Sequence, residues 1–387
     1  DLRQRRQDAT GVRRRPIRRR AGFGQPTITA GRILTARNGM TAQTMNTSRL
    51  NTILETTGWV LADGATGTNL FQAGLETGYP PELWNVERPE DITALHTSFI
   101  DAGSQLILTN SFGGTAHRLR LHAAQDRVGE LNLAAAKLAC HAADSGRDRH
   151  GHEIVVAGSI GPTGELFAPM GALDHADALA AFTEQAEALA AGGVDLLWIE
   201  TMSSLEEVSA AIEAASAVGL PAASCMTFDT AARSMMGVTP ADFASQSISF
   251  GADYVGANCG IGPAELLHSV SGIMATASVP VIAKGNCGIP AYLDGAIHYH
   301  GTPELMADYA CLARDAGVRI IGGCCGTTPD HVAAMRAALV STPQRPFDQG
   351  RVDAALGTAW KDLANTTDHN DGKRTGGRRR SRRRQDI

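Results

Sequence analysis

The chain has 387 residues, 43% of them hydrophobic, which fits one large α/β barrel or two ordinary domains. Its net charge of −5 combines about +9 over residues 1–45, about +5 over residues 366–387 and about −19 over the body between them. A nucleic-acid-binding domain carries its basic charge on the folded part, so this pattern argues against that class. No apolar stretch approaches the roughly 18 residues of a membrane span, and no signal-peptide apolar segment is evident.

The basic N-terminal segment, residues 1–45, is rich in arginine and has little apolar periodicity, which predicts disorder. An organelle transit peptide is the alternative, because such peptides are also rich in arginine and poor in acidic residues. A folded domain is expected over residues 46–341. Residues 342–387 are expected to form a C-terminal extension that ends in a disordered basic tail.

Between these ends one unit repeats eight times: a short apolar run that ends in a small or polar residue, followed by an amphipathic stretch. The runs cover residues 59–64, 105–110, 154–159, 195–200, 222–227, 254–259, 280–285 and 320–325. Continuous apolar runs indicate strands that are buried on both faces and therefore parallel.

The stretches between the runs have the features of helices. Residues 176–191 and 205–218 have helical length and spacing, and four stretches end in glycine dipeptides that are typical of helix C-caps, at 102–103, 191–192, 218–219 and 316–317. Eight strand–helix units over about 290 residues predict a single (β/α)8 TIM barrel. A doubly wound open sheet is the alternative, but no G-x-G-x-x-G follows the first predicted strand.

Reactive or polar residues end the predicted strands, where the chemistry of such a barrel lies. They are Asp63, Asn110, Ser159, Glu200, Thr227, Cys259, Lys284 and the pair Cys324–Cys325. Three thiols therefore reach one rim, and the glycines around the pair permit the turn that would let both thiolates bind one ion. Three sulfurs and an open position are what a catalytic zinc requires.

The other four of the seven cysteines are interpreted as structural: Cys140, Cys225, Cys287 and Cys311. Cys287 lies near enough to the rim to compete for the metal. The odd number of cysteines and the missing signal segment argue against a disulfide framework and favour a reducing, cytoplasmic compartment. Small buried cysteines without a metal are the alternative for all seven.

At this point the chain resembles the zinc-dependent homocysteine S-methyltransferase family. The most specific elements are GGCCGTTPDH at 322–331 and NCGIGP at 258–263, and further matches are Asp63-Gly64, TNSFG at 109–113, GSIGPTGEL at 158–166, Glu200-Thr201 and MTFD at 226–229. These elements run in family order from about residue 50 to 341. The resemblance implies the same (β/α)8 fold.

The resemblance also implies a residue set. Cys259, Cys324 and Cys325 would be the zinc ligands. Homocysteine would be bound by Asp63 and Glu200 through its amino group, by the backbone of Gly64 and Ala65 near its carboxylate, and by Asn110 and Asn258. Coordination to zinc would deprotonate the homocysteine thiol, which attacks an activated methyl group, so no catalytic protein nucleophile is expected.

The methyl donor is predicted less directly. Family members use betaine, S-methylmethionine, S-adenosylmethionine or methylcobalamin. Aromatic positions of the betaine type are Gly113 and Thr201 here, and the motifs look most like the homocysteine domain of cobalamin-dependent methionine synthase. A methylcorrinoid on a partner protein is therefore favoured over betaine. Trp84 is interpreted as a packing residue more readily than as part of an aromatic cage.

Two functions of other classes remain as alternatives. A barrel lyase would use Lys284 as a Schiff-base lysine. A non-enzymatic zinc module would close its metal site with a fourth ligand, for which His298 and His300, expected in a polar loop, are available. The expected partners are homocysteine, a methyl donor and a corrinoid protein, with no nucleic acid or membrane, and a homodimer is conceivable.

Overall fold

Eight parallel strands form the centre of the computed structural model, which describes residues 48–293 and 296–360. They are β1 (Val60–Leu61), β2 (Leu106–Leu108), β3 (Val155–Ile160), β4 (Leu196–Met202), β5 (Ala222–Met226), β6 (Tyr254–Cys259), β7 (Val281–Gly285) and β10 (Ile320–Gly323). Every one coincides with a predicted apolar run, although β3 continues one residue and β4 two residues beyond the predicted end. The predictions of disorder for residues 1–45 and for the basic tail concern residues outside this description.

The strands close into a ring. Their order in the sheet is β1-β10-β7-β6-β5-β4-β3-β2, and a parallel bridge between Ala62 and Leu106 joins the two ends. Two backbone bonds reinforce that junction: the Gln105 amide donates to Leu61 O at 2.7 Å, and the Asp63 amide to Leu106 O at 2.9 Å. The predicted (β/α)8 TIM barrel is therefore confirmed, and the open sheet is excluded.

The helices that surround the barrel are α1 (Arg49–Thr57), α2 (Gly67–Gln72), α3 (Trp84–Glu87), α4 (Pro89–Asp101), α5 (Ala116–Leu119), α6 (Val128–His150), α7 (His175–Ala191), α8 (Leu205–Val218), α9 (Pro240–Phe250), α10 (Pro263–Met274), α11 (Pro303–Asp315), α12 (Pro329–Ser341) and α13 (Gln349–Leu356). Side-chain N-caps and N-terminal prolines start many of them; Ser204, for example, accepts the Glu207 amide at 3.2 Å to begin α8. In the described part of the chain, no helix has the length and apolarity to cross a membrane.

Three of the four predicted glycine caps have the left-handed backbone expected of them, with φ of 107° at Gly103, 74° at Gly219 and 96° at Gly317. The prediction at Gly192 is wrong by one residue. Gly192 has a φ of −80°, and Gly193 has the left-handed φ of 95°. Either glycine can take the left-handed conformation, so the dipeptide alone does not say which one ends the helix.

The core has two layers. Inward side chains such as Val60, Leu196 and Trp198 fill the barrel, and Leu50 and Ile53 of α1 pack against them. Arg319, which precedes β10, donates to the Leu54 carbonyl at 2.6 Å, so α1 lies at the N-terminal ends of the strands. The outward faces of the strands pack against the helices in a second, larger cluster. With the N-terminal end covered, the opposite rim is left for the site.

An antiparallel hairpin, β8 (Pro290–Leu293) and β9 (Ala296–Tyr299), interrupts the seventh strand–helix unit, between β7 and α11. His298, expected in a polar loop, lies in β9, whereas His300 follows it and is exposed. In the predicted C-terminal extension, α13 packs against α11. Asp315 of α11 accepts the Arg345 amide and the Arg351 side chain, both at 3.1 Å, and so attaches this segment to the barrel.

Candidate active site

The three cysteines predicted as metal ligands meet at the C-terminal rim of the barrel. Cys259 is the last residue of β6, and Cys324 and Cys325 directly follow β10. The three Sγ atoms lie within 4.8 Å of one another, and those of Cys259 and Cys325 are 3.9 Å apart. Within residues 48–293 and 296–360, no other group of three His, Cys, Asp or Glu side chains is close enough to hold one ion.

The backbone around these sulfurs is tightly fixed. Cys259 has a φ of 61°, which is uncommon for a residue with a side chain. The Cys324 amide donates to Gly285 O at 2.6 Å, and the Cys325 amide donates to Asn286 Oδ1 at 3.1 Å. At Gly326 φ is 81°, and a Cβ would lie 2.4 Å from the Tyr299 side chain. Glycine is therefore required immediately after the cysteine pair.

The thiols are electrostatically coupled. Hydrogen bonds from Cys259 and Cys324 lower the pKa of the Cys325 thiol to about 3. The hydrogen bond with Cys259 lowers the pKa of the Cys324 thiol, but the hydrogen bond with Cys325 and burial outweigh it and raise this pKa to about 12. A cation bound between the three sulfurs would favour ionisation of all three thiols.

Glu200, near the end of β4, is the carboxylate that faces this cluster across the pocket. It is 8% exposed. Ser159 Oγ donates to its Oε1 at 2.6 Å, and Asn258 Nδ2 lies 3.4 Å from its Oε2. Burial raises the pKa of Glu200 to about 7, and the electrostatic effect of Cys324 adds to it. A cation bound beside Glu200 would stabilise its ionised form.

Asp63, the other predicted acid, is occupied by protein groups. Lys284 Nζ contacts its Oδ1 at 2.5 Å, and the Leu108 amide donates to its Oδ2 at 2.8 Å. Burial raises the pKa of Asp63 more than these partners lower it. Burial lowers the pKa of Lys284, but Asp63 and Glu200 outweigh that effect and hold it above its usual value. Because Asp63 also accepts the Leu108 amide, we take the pair to be ionised.

A cavity of about 540 Å³ opens from the three sulfurs to the surface. Its wall includes Glu200, Lys284, Asn110 and the backbone of Gly64 and Ala65, whereas Asp63 and Asn258 lie behind it. The size is that of a pocket for small molecules. The predicted substrate-binding residues therefore divide into those that reach the cavity and those that support its wall.

Residues in the wall and behind it are held by protein contacts. Asn258 is completely buried; its Oδ1 accepts the Thr201 amide and its Nδ2 donates to Thr201 Oγ1, both at 2.8 Å. Asn110 donates to Pro81 O at 2.8 Å and so holds the loop after β1. The Ala65 amide donates to Thr327 O at 3.1 Å.

Neighbouring side chains occupy or hold the two positions that are aromatic in the betaine type. A Cβ at Gly113 would lie 2.9 Å from Glu82 Oε1, so the Glu82 carboxylate fills the space that a side chain at 113 would need. Thr201 is held by Asn258. Trp84 is 5% exposed, stacks against Arg88 at 4.0 Å and is absent from the cavity wall, so its interpretation as a packing residue is confirmed.

The competing cysteine does not join the cluster. Cys287 Sγ lies 3.3 Å from Gly301 O, which fits a neutral thiol donor, and burial raises its pKa to about 11. Two residues were not predicted at all in the roles they have. Lys284 was considered only as a nucleophile. Glu82 was not singled out, because the residue whose amide it accepts, Gly113, lies 31 positions further along the chain.

Comparison with known proteins gives the family. Residues 60–339 match the model of the family described as homocysteine S-methyltransferase. The chain belongs to this family. It is therefore a methyltransferase enzyme, and homocysteine methylation is the chemistry that the family shares.

Similar proteins agree with this assignment. Methionine synthase of Mycobacterium leprae is 29% identical over 295 residues, which cover 72% of this chain and 24% of the relative. Methionine synthase of Mycobacterium tuberculosis is 29% identical over 318 residues, 78% of this chain and 26% of the relative. The chain thus spans about a quarter of the length of these relatives.

A solved structure resembles the whole barrel. The homocysteine methyltransferase MmuM from Escherichia coli, in its metallated form, superposes with a TM-score of 0.62 at 25% identity. The match covers 75% of this chain and 99% of that protein. Its apo form gives a TM-score of 0.59. The metal is that protein's; in this chain, the three-cysteine cluster is the group that could hold one.

Proposed function

We propose that the protein binds zinc through Cys259, Cys324 and Cys325 and transfers a methyl group to the thiol of homocysteine, forming methionine. The observation that carries the proposal is the convergence of three cysteine sulfurs within 4.8 Å at one end of a cavity that also exposes Glu200. Such a cavity presents a metal site and a charged anchor to the same small molecule.

The three cysteine sulfurs are suitable ligands for zinc. Thiolates are preferred zinc ligands, and a catalytic site keeps one of four positions open for water or substrate. Among the described residues, no His, Asp, Glu or further Cys side chain joins the three cysteines, so a fourth position is available for water or substrate. A zinc ion bound there would keep the homocysteine thiol deprotonated at neutral pH, where a free thiol with a pKa of about 8.5 is mostly protonated.

The protein groups orient the amino acid. Of the two predicted acids, Glu200 is the one that reaches the cavity, so we assign it the contact with the substrate ammonium. Ser159 and Asn258 fix its carboxylate. Asp63 lies behind Lys284 and holds it, which makes Asp63 a positioning residue rather than a direct contact. The backbone of Gly64 and Ala65 remains the predicted wall beside the substrate carboxylate.

The alternative lyase is disfavoured by the state of Lys284. A Schiff-base lysine must lose its proton to attack a carbonyl group. The ammonium of Lys284 is 2.5 Å from Asp63 Oδ1, and its pKa is held above the usual value. The pair therefore opposes the nucleophilic role.

The donor is a separate proposal. The motif-based prediction of a methylcorrinoid on a partner protein stands beside betaine, and the relatives' whole-length activity is not transferred, because this chain spans only about a quarter of them. A corrinoid would have to deliver its methyl from outside the mouth, since the 540 Å³ cavity admits homocysteine and a small donor.

The metal assignment is tested with a pair of cysteine variants. Cys324→Ala should lose most of its zinc and its methionine formation, whereas Cys287→Ser, which changes a thiol outside the cluster, should keep both. Zinc is measured by atomic absorption on protein purified at equal concentration, and circular dichroism checks the fold. Full zinc retention by Cys324→Ala would refute the ligand assignment.

The substrate contact is tested at Glu200. Glu200→Gln should raise the homocysteine KM while zinc content is unchanged, because an amide binds an ammonium group less well than a carboxylate does. If zinc content fell and the KM did not change, Glu200 would belong to the metal site instead.

A further inference from the structure

A bulge interrupts β4 where the strand reaches the cavity. Ile199 is paired with Ser224 of β5. The next paired residue of β4, Met202, lies opposite Met226, so β4 advances by three residues where β5 advances by two. The extra residue falls beside Thr201, which has a left-handed φ of 60°. Because a branched side chain makes that conformation unfavourable, the backbone of Thr201 is strained.

The bulge decides which side chains of β4 face the cavity. Before it, Leu196 and Trp198 point into the barrel, and Glu200 continues this inward row to the cavity wall. Regular alternation would turn Met202 inward next. Met202 is instead fully buried in the outer layer, where the strands pack against the helices. Glu200 is therefore the last inward side chain of β4, and the methionine is kept out of the cavity.

The side chain of Asn258, in β6, holds this bulge. Its Oδ1 accepts the Thr201 amide and its Nδ2 donates to Thr201 Oγ1, both at 2.8 Å, so it bonds the strained residue through backbone and side chain. A backbone N–H can only donate, so the Thr201 amide also decides which end of the Asn258 side chain is the oxygen. The Nδ2 end then faces Glu200, whose Oε2 is 3.4 Å away.

Resting on the proposed function, we propose that Asn258 is a positioning residue for homocysteine: by holding Thr201 in its left-handed conformation, it keeps Glu200 open to the substrate ammonium and Met202 out of the cavity. Strained backbone persists only where the surrounding groups over-determine it, and bulges beside active sites commonly re-aim a side chain. Without the Asn258 amide, Thr201 relaxes to an extended conformation. Regular alternation then carries Met202 inward, next to Glu200, and narrows the substrate site.

The backbone of Asn258 is held independently of its side chain. Its carbonyl accepts Thr227 Oγ1 at 3.0 Å, and Asn258 and Cys259 pair in register with Lys284 and Gly285 of β7. Shortening the side chain of Asn258 therefore leaves Cys259 in place beside the other two cysteines. The positioning of the substrate acid can thus be separated from the binding of the metal.

A rescue variant tests this role against simple packing. Asn258→Ala removes the side chain that holds the bulge, and Thr201→Gly removes the strain, because glycine adopts a left-handed φ without a steric penalty. The double variant combines the two changes. Asn51→Ala is the control, since it removes the 2.6 Å hydrogen bond from Tyr254 at the opposite end of the same strand. Each protein is assayed for zinc content, for the homocysteine Kd by calorimetric titration of the zinc-loaded form, and for unfolding in urea.

We expect the homocysteine Kd of Asn258→Ala to rise about ten- to a hundredfold, the loss expected for a charge-assisted contact, with zinc content unchanged. In the double variant the Kd should return to that of Thr201→Gly alone, because the bulge persists once its strain is removed. Thr201→Gly should also stabilise Asn258→Ala against urea more than it stabilises the wild type. Asn51→Ala should keep the wild-type Kd.

A Kd that stays high in the double variant, or that does not rise in Asn258→Ala, would overturn the proposal. Loss of zinc from Asn258→Ala would also overturn it, because Asn258 would then act through the metal site. If Asn258→Ala does not fold, Asn258→Ser takes its place, since a serine hydroxyl is too short to make both contacts with Thr201. Zinc-loaded wild type that binds no homocysteine would instead refute the proposed function, and the urea comparison would still decide whether Asn258 holds the bulge.

Discussion

The buried pair of Lys284 and Asp63 gives a sharp prediction about stability. Their side chains are 2% and 3% exposed, and Lys284→Met would leave Asp63 with only the Leu108 amide as a partner. Removing one member of a buried ion pair typically costs about 3–5 kcal/mol, because the other charge is left without compensation. We therefore expect the free energy of unfolding at pH 7 to fall by about that amount, measured by urea denaturation.

The pH dependence of this loss in unfolding free energy, and a double variant, test whether the uncompensated charge of Asp63 causes it. Without Lys284, the pKa of Asp63 in the folded state rises further above its unfolded value of about 3.9, so the penalty is present above the folded pKa and fades as pH falls towards 4. Asp63→Asn combined with Lys284→Met should recover at least half of the loss. Lys137→Met, at an exposed position on α6, is the control. A loss below about 1 kcal/mol, or strictly additive single variants, would refute the reasoning.

Three further predictions follow from buried contacts. Burial lowers the pKa of His96 from 6.5 to about 4, so the unfolded chain binds a proton in that window that the folded chain does not, and stability should fall by about 3 kcal/mol as pH drops from 6.5 to 4. In His96→Leu this pH-dependent loss should be missing from urea unfolding curves. Gly64→Ala, whose Cβ would lie 2.6 Å from Thr327 O, should cost about 1–3 kcal/mol by the same assay, whereas Gly67→Ala, with nothing within 4 Å, should cost little. Ser159→Ala removes a 2.6 Å bond to Glu200 and should raise the homocysteine KM about tenfold with unchanged zinc content; a fall in zinc would contradict it.

The barrel was predictable because its signal is local and repeated. Each strand is a continuous apolar run, and the unit recurs eight times, so errors in single boundaries do not affect the fold. The hairpin β8–β9 was missed although an Asp-Gly dipeptide at 294–295 is a hairpin signal, because the expected unit placed only a loop between β7 and α11.

The three-cysteine cluster was predictable for a different reason. Adjacent cysteines between glycines are rare, and a parallel barrel brings all strand ends to one rim, so Cys259 needed no contact information to be placed near Cys324. The roles of the surrounding polar residues could be assigned only with contact information. Asp63 and Lys284 are 221 positions apart and pair only because β1, β10 and β7 are neighbours in the ring. Strand-end position therefore identified Asp63 as important but not as the partner of a lysine.

The inner end of the cavity, at the three sulfurs, and its outer end also differ in how far the sequence predicts them. The sulfurs and Glu200 lie at the ends of strands, where the sheet fixes their separation, and so the chemistry of the thiol can be inferred from motifs. The outer end of the cavity is built from the loops after β1 and β2, in which the Gly113 amide donates to Glu82 Oε1 at 2.6 Å. Loops of a barrel can change without disturbing its strands. A family that keeps one zinc centre can thus accept different methyl donors, and the donor must be inferred from the loop contacts of each chain rather than from the cysteine motif.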